Sequence, residues 1–214
     1  MTLNLNKLDN ISSSGMEKLK QTYMYVFLGI LLATVGAGVL LSAGIKLGLV
    51  TFVVLIVLEF AALFLFLFKK NIITYSIFTF LTGLTMVPML GSLLDAGNGY
   101  IILQALISTL VITGLLTFYA ATTKNNFLRF STILLYILIG VIVLSVINIF
   151  IGSSIFALFI SIITVVLFSF YIIMDTQEVL YTDVEPLDAA MNLYLDILNL
   201  FVSLLQILTS LEKD

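Results

Sequence analysis

The stretch A-A-M-N-L-Y-L-D-I-L-N-L-F-V-S-L-L-Q-I-L, residues 189–208, decides the fold. It is long and apolar enough to cross a bilayer, which takes about 20 residues. Asp196 nonetheless lies well inside it. An ionised carboxylate at bilayer depth costs about 2.5–3.5 kcal/mol on insertion scales. Asn192, Asp196, Asn199, Ser203, Gln206 and Ser210 follow one another at steps of 4, 3, 4, 3 and 4. That spacing puts all six on one stripe of a helix. A helix surrounded by lipid has no use for such a stripe. This one is therefore expected inside a bundle, with the stripe turned toward partner helices or water. The rest of the chain reads as the wall built around it.

Composition agrees. Of 214 residues, 61% are hydrophobic and 10% charged, whereas a soluble domain carries roughly a quarter charged residues. The chain reads as an all-α integral membrane protein. There is no cysteine, so no disulfide frame or thiolate metal site is available. There is no histidine either, which leaves pH sensing to carboxylates or lysines and removes His-dependent hydrolases. Nine Lys and Arg spread over the whole chain make no nucleic-acid footprint.

Residues 1–22 read as a polar tail, 23–210 as the transmembrane domain and 211–214 as a short C-terminal tail. The tail lacks a basic region followed by an apolar core of about 7–15 residues, so the first span itself is expected to target the chain. Apolar runs long enough to cross lie near 23–45, 47–68, 72–94, 100–121, 131–151, 154–175 and 189–210. With the N-terminus inside, Lys7, Lys18, Lys20, Lys69, Lys70, Lys124 and Arg129 fall on the inner side, and Lys46 and Lys213 outside. That bias predicts a cytoplasmic N-terminus. The polar stripe of the seventh span leaves a re-entrant segment open as an alternative. The tails and size favour a bacterial plasma membrane.

Gly29, Ala33 and Ala37 in the first span form a small-residue face for close packing. The third span contains G-L-T-M-V-P-M-L, residues 83–90. Pro88 frees the carbonyl four residues back and predicts a kink, either architectural or gating. Thr82 and Thr85 are candidates to satisfy the freed groups.

Three carboxylates lie within spans or at their inner ends: Glu59, Asp175 and Asp196. The sixth span runs inward to Asp175 and the seventh runs back outward through Asp196, so the two aspartates are expected at similar depth. Two carboxylates close together in a low dielectric cannot both ionise cheaply, and such a pair tends to hold one proton. Deprotonated, it offers hard oxygen ligands suited to calcium. The alternative is a structural clamp between the two helices. Lys69 and Lys70, at the inner end of the second span, are candidates to reach Asp175 and latch the second span to the sixth. Acid would neutralise that carboxylate and release the latch. Glu59, near the middle of the second span, either lines a pore or is buried and protonated. Glu178, Asp183, Glu185 and Asp188 read as a solvated charge run or as a vestibule that attracts cations.

M-D-T-Q at 174–177, Y-L-D-I-L-N-L-F at 194–201 and G-L-T-M-V-P at 83–88 carry a resemblance. From about residue 20 to 210 the chain resembles the transmembrane Bax-inhibitor-motif family, in particular its bacterial calcium-leak members. The resemblance implies six helices around a central seventh and a pH-sensitive calcium leak. It also implies a di-aspartyl sensor on Asp175 and Asp196, with Glu59 matching an acidic position of similar bacterial members. In those relatives an Arg after the second span pairs with the first aspartate. Here Lys69 and Lys70 stand there, and Lys lacks the bidentate fork and is more strongly hydrated. The expected partners are thus calcium, protons and the bilayer, with no resident cofactor and no nucleic acid; protein partners are left unspecified.

Three rival classes stand beside this reading. An intramembrane aspartyl protease needs a G-x-G-D motif, whereas Asp196 follows L-Y-L and Asp175 follows I-I-M, so no enzymatic activity is expected. A proton-coupled transporter would share the buried carboxylates but typically shows repeated halves and broken helices. A regulatory protein acting by partner binding is the third class; eukaryotic relatives of the family are described as cell-death suppressors.

Overall fold

A computed structural model describes residues 13–212. The tail residues 1–12, with Lys7, and the last two residues, with Lys213, lie outside the described residues. Eight α-helices follow in order: α1 (Ser13–Ser42), α2 (Leu49–Lys69), α3 (Ile72–Thr85), α4 (Val87–Asp95), α5 (Gly99–Thr122), α6 (Ser131–Ile151), α7 (Ser154–Tyr181) and α8 (Pro186–Leu211). No strand occurs among the described residues. α3 and α4 together make one span, so among the described residues seven segments are long and apolar enough to cross a membrane. Their outward faces are apolar: Phe68 on α2, Leu110 on α5 and Phe150 on α6 are widely exposed, as a lipid contact requires.

α8 packs against α1, α5 and α7. It also reaches α3, where the Tyr194 ring meets Tyr75 and Phe78 edge-on. α6 packs on α7, through a seam that includes Leu134, Val141, Ile160 and Leu167. α8 runs 26 residues without a break, about 39 Å at 1.5 Å per residue. That is enough to span, and it carries no interruption of the kind a re-entrant segment needs.

The third span breaks where Pro88 predicts. α3 ends at Thr85, Met86 is shared, and α4 begins at Val87 with proline in its first turn. The ladder resumes through Met86 N–H to Thr82 O at 3.2 Å and Leu90 N–H to Met86 O at 3.0 Å. The threonine hydroxyls do something other than expected. Thr85 Oγ1 donates to Glu59 Oε2 at 2.7 Å, with Thr82 O at 3.0 Å as a second acceptor. Thr82 is hydrogen-bonded to the Tyr194 hydroxyl. Both hydroxyls thus point into the bundle, where unpaired polar side chains would cost most.

α1 begins ten residues before the expected start of the first span. Its first turns carry Glu17 and Lys20 exposed, Lys18 half-buried and Leu19 buried. Leu19 packs with Val179, Leu180 and Ala189 at the α7–α8 corner. An apolar count sees lipid-facing turns and misses such an amphipathic extension. Further along, the small-residue face of α1 is real, but it crosses α3. A side chain at Gly36 would come 2.5 Å from Phe80 O, and one at Gly83 would overlap Ala33 O.

The α2–α3 turn is tight. Lys70 adopts left-handed backbone, φ 42°, and its N–H closes on Phe66 O at 2.7 Å. Asn71 then caps α3, its Oδ1 accepting from Ile73 N at 3.1 Å and Thr74 N at 3.0 Å. This turn, the start of α1, the α5–α6 loop and the α7–α8 loop share one end of the bundle, called here the lysine-rich face.

Candidate functional site

The site is built where α7 and α8 meet. Asp175 lies six residues from the end of α7 and Asp196 ten residues into α8. At 1.5 Å per residue they are about 9 and 15 Å in from the lysine-rich ends of their helices. They are 5% and 4% exposed. Their carboxyl groups are within hydrogen-bonding reach of each other. An ionised carboxylate only accepts, so a bond between two carboxyl groups requires a proton on at least one of them. The two sequence-predicted aspartates are therefore brought together.

Several groups surround the pair. From α7 come Glu178, charge-coupled to Asp175, and the Tyr171 hydroxyl, coupled to both aspartates. From α1 comes Tyr23, whose hydroxyl is hydrogen-bonded to Thr117 of α5 and lies near Thr176 and Asp196. Asp196 Oδ2 and Thr176 Oγ1 are buried without a direct hydrogen-bond partner, an arrangement a protein tolerates mainly at functional or water-bridged positions. No cluster of three or more Asp, Glu, His or Cys side chains occurs among the described residues. Calcium prefers six to eight oxygens.

The lysines go elsewhere. Lys70 Nζ pairs with Asp188 Oδ2 at 2.6 Å, at the first turn of α8, and not with Asp175. Lys69 makes no ion pair among the described residues. The reason is depth. Lys70 caps α2 at the level where α8 begins, whereas Asp175 lies more than a turn deeper. Lys18 pairs with Asp183 at 3.1 Å and donates to Thr182 O at 3.2 Å, tying α1 to the α7–α8 loop.

The stripe on α8 is only partly inward. Asp196 and Ser203 are buried, Asn199 and Gln206 are half-buried, and Asn192 is exposed. Asn192 lies one turn nearer the lysine-rich end than Asp196, where a polar side chain can meet water. Asn199 donates to its own helix at Leu195 O, 2.7 Å. Gln206 Oε1 accepts from Ser161 of α7 at 2.9 Å, a second polar tie between the same two helices.

Glu59 belongs to a different cluster. It is half-buried and accepts from Thr85 at the helix break, beside Thr82 and Tyr194. Pro88 itself is exposed.

Sequence reasoning missed four participants. Gln177, 1% exposed, accepts from Phe127 N–H and donates to Asn125 O, both at 2.8 Å, so that it pins the α5–α6 loop beside the pair. Its place next to Asp175 in D-T-Q was the available signal. Tyr194 stands in the motif L-Y-L-D, but an aromatic in an apolar helix reads as bulk. Tyr23 and Thr117 carry no signal beyond being polar within apolar spans.

Comparison with known proteins agrees with the fold and with the motifs. The family model described as "Inhibitor of apoptosis-promoting Bax1" matches residues 15–213. An uncharacterized protein of Campylobacter jejuni is 41% identical over 218 residues, covering 97% of this chain and 94% of that protein. One from Helicobacter pylori is 38% identical over 202 residues, covering 88% and 84%. A protein of Vibrio cholerae described as an uncharacterized membrane protein is 32% identical over 207 residues, covering 92% and 90%. With its seven apolar spans and the aspartate pair where the motifs place it, this integral membrane protein belongs to the Bax-inhibitor-motif family.

Proposed function

We propose that the protein is a pH-sensitive calcium leak of a bacterial plasma membrane, with the lysine-rich face cytoplasmic. The buried Asp175–Asp196 pair carries this reading. A shared proton ties α7 to α8. Its loss places two negative charges in a low dielectric and at the same time creates oxygen ligands for a divalent cation. The bond between the two helices and the affinity for calcium are then set by the same protonation step. Calcium is the cargo, protons are the regulator, and no bond of the cargo is broken or made, so the activity is not enzymatic.

Lys70 serves as a tie to Asp188. It anchors the α2–α3 turn to the start of α8 independently of the pair's protonation. The acidic groups at that face, Glu178, Asp183, Glu185 and Asp188, would concentrate cations at the entrance.

The test is calcium flux into liposomes carrying the purified protein, followed at two pH values. A leak that depends on pH supports the reading. Folded protein that leaks at neither value overturns it. The broken third span beside Glu59 favours one rival, a proton-coupled transporter. That rival predicts calcium movement driven by an imposed proton gradient, whereas a leak follows the calcium gradient alone.

A further inference from the structure

The polar groups of the bundle fall into two compartments on opposite sides of α8. Each residue turns an α-helix by about 100°, so Tyr194 and Asp196 project nearly oppositely, about 160° apart. Asp196 faces Asp175 and Tyr23, whose hydroxyl is hydrogen-bonded to Thr117. Tyr194 faces the group that contains Thr82, Thr85 and Glu59. The Tyr194 side chain is 2% exposed. Its ring stands edge-on to Tyr75 at 6.2 Å and to Phe78 at 6.1 Å, within a cluster that includes Phe66, Ala190 and Leu193. Its hydroxyl is held by Thr82, three residues before the helix break.

We propose that Tyr194 is the positioning residue that closes the route between the aspartate compartment and the Glu59 compartment. It is held shut by Thr82 at the end of α3. An ion moving from the pair to Glu59 has to pass α8. The ring and its aromatic neighbours present that ion with an apolar wall whose two hydroxyls, those of Tyr194 and Tyr75, are already engaged by Thr82 and by Tyr25 O. Because Thr82 O also accepts from Thr85, whose hydroxyl binds Glu59, movement at the break would release the tyrosine and expose Glu59 together. This inference rests on reading the pair and Glu59 as two stations of one calcium route.

The chain has no cysteine, so a single engineered thiol reports without background. Thr85→Cys is reconstituted in liposomes, and a small cationic thiosulfonate reagent is applied from one face at a time. With Tyr194 intact, the reaction from the lysine-rich face is slow. Tyr194→Ala accelerates it by about tenfold or more, while the rate from the opposite face stays unchanged. Tyr194→Phe, which keeps the ring and fold, lies between the two. If Tyr194→Ala does not fold, Tyr194→Leu is measured in its place. Equal rates in all backgrounds overturn the proposal, and so does equal acceleration from both faces, which would mean general loosening. Calcium flux is recorded on the Tyr194 variants in the Thr85 background. A raised flux at the pH where the wild type leaks least supports the gate. Faster one-sided labelling with no calcium flux in any variant, wild type included, keeps the barrier and removes the calcium reading.

Discussion

The Asp196 carboxyl lies within reach of Asp175, and its Oδ2 is buried with no hydrogen-bond donor aimed at it. A site built for stability alone would have supplied one. At this scale the sequence was informative about the carboxylates and silent about their partners. Charges inside apolar spans stand out, while hydroxyls and amides do not. Gln177 shows the difference: both ends of its amide are spent on the backbone of residues 125 and 127. Gln177→Ala removes both bonds and leaves the Phe127 N–H and the Asn125 carbonyl, at a half-buried and an exposed residue, without their partner. It should lower stability by about 1–2 kcal/mol, measured by unfolding in detergent micelles. A change within experimental error would mean that the loop finds other partners. The sequence also offered Lys70 a choice of acidic partners. Only the depth of the α2 end selects Asp188, and depth to within one turn is not written in an apolar run.

At the scale of elements, the spans and the break at Pro88 were legible, because hydropathy and a missing N–H act locally. The early start of α1 was not, because its first turns are stabilised by the α7–α8 corner. The crossing of α1 and α3 was half legible. Gly29, Ala33 and Ala37 announced a close approach but not the partner. Gly83, read as part of the proline motif, turns out to be that partner's contact point. Gly83→Ala places a methyl against the Ala33 backbone, where neither helix can yield cheaply. The expected cost is about 1–3 kcal/mol, read as a lower unfolding midpoint. Gly114→Ala, a position open to added bulk, serves as the control. Equal behaviour of the two variants would contradict the packing account.

At the scale of the molecule, the two faces differ. Ion pairs tie α1 to the α7–α8 loop and the α2–α3 turn to α8 at the lysine-rich face. At the other face, Lys46 and Asp95 pair at 2.8 Å in the open. Asp95 raises the Lys46 pKa through its hydrogen bond and its charge. A raised lysine stabilises the fold fully below its ordinary value of about 10.4, and that contribution is lost as pH climbs through the raised value. Lys46→Gln should therefore differ slightly from wild type near neutral pH, less in high salt, and not at all at strongly alkaline pH. Unfolding midpoints across pH check this; a difference that grows with alkalinity would contradict it.

The two aspartates, one from each of the last two helices, are buried where α7 and α8 meet, and the leak is proposed to turn on them. The direct measurement is calcium flux in liposomes for Asp175→Asn and Asp196→Asn beside wild type, at two pH values. Asparagine keeps the size and hydrogen-bonding capacity but cannot exchange a proton. The account predicts a pH-dependent leak in wild type that either substitution flattens. Folded variants that keep the full wild-type pH dependence would contradict it and leave the pair as a clamp.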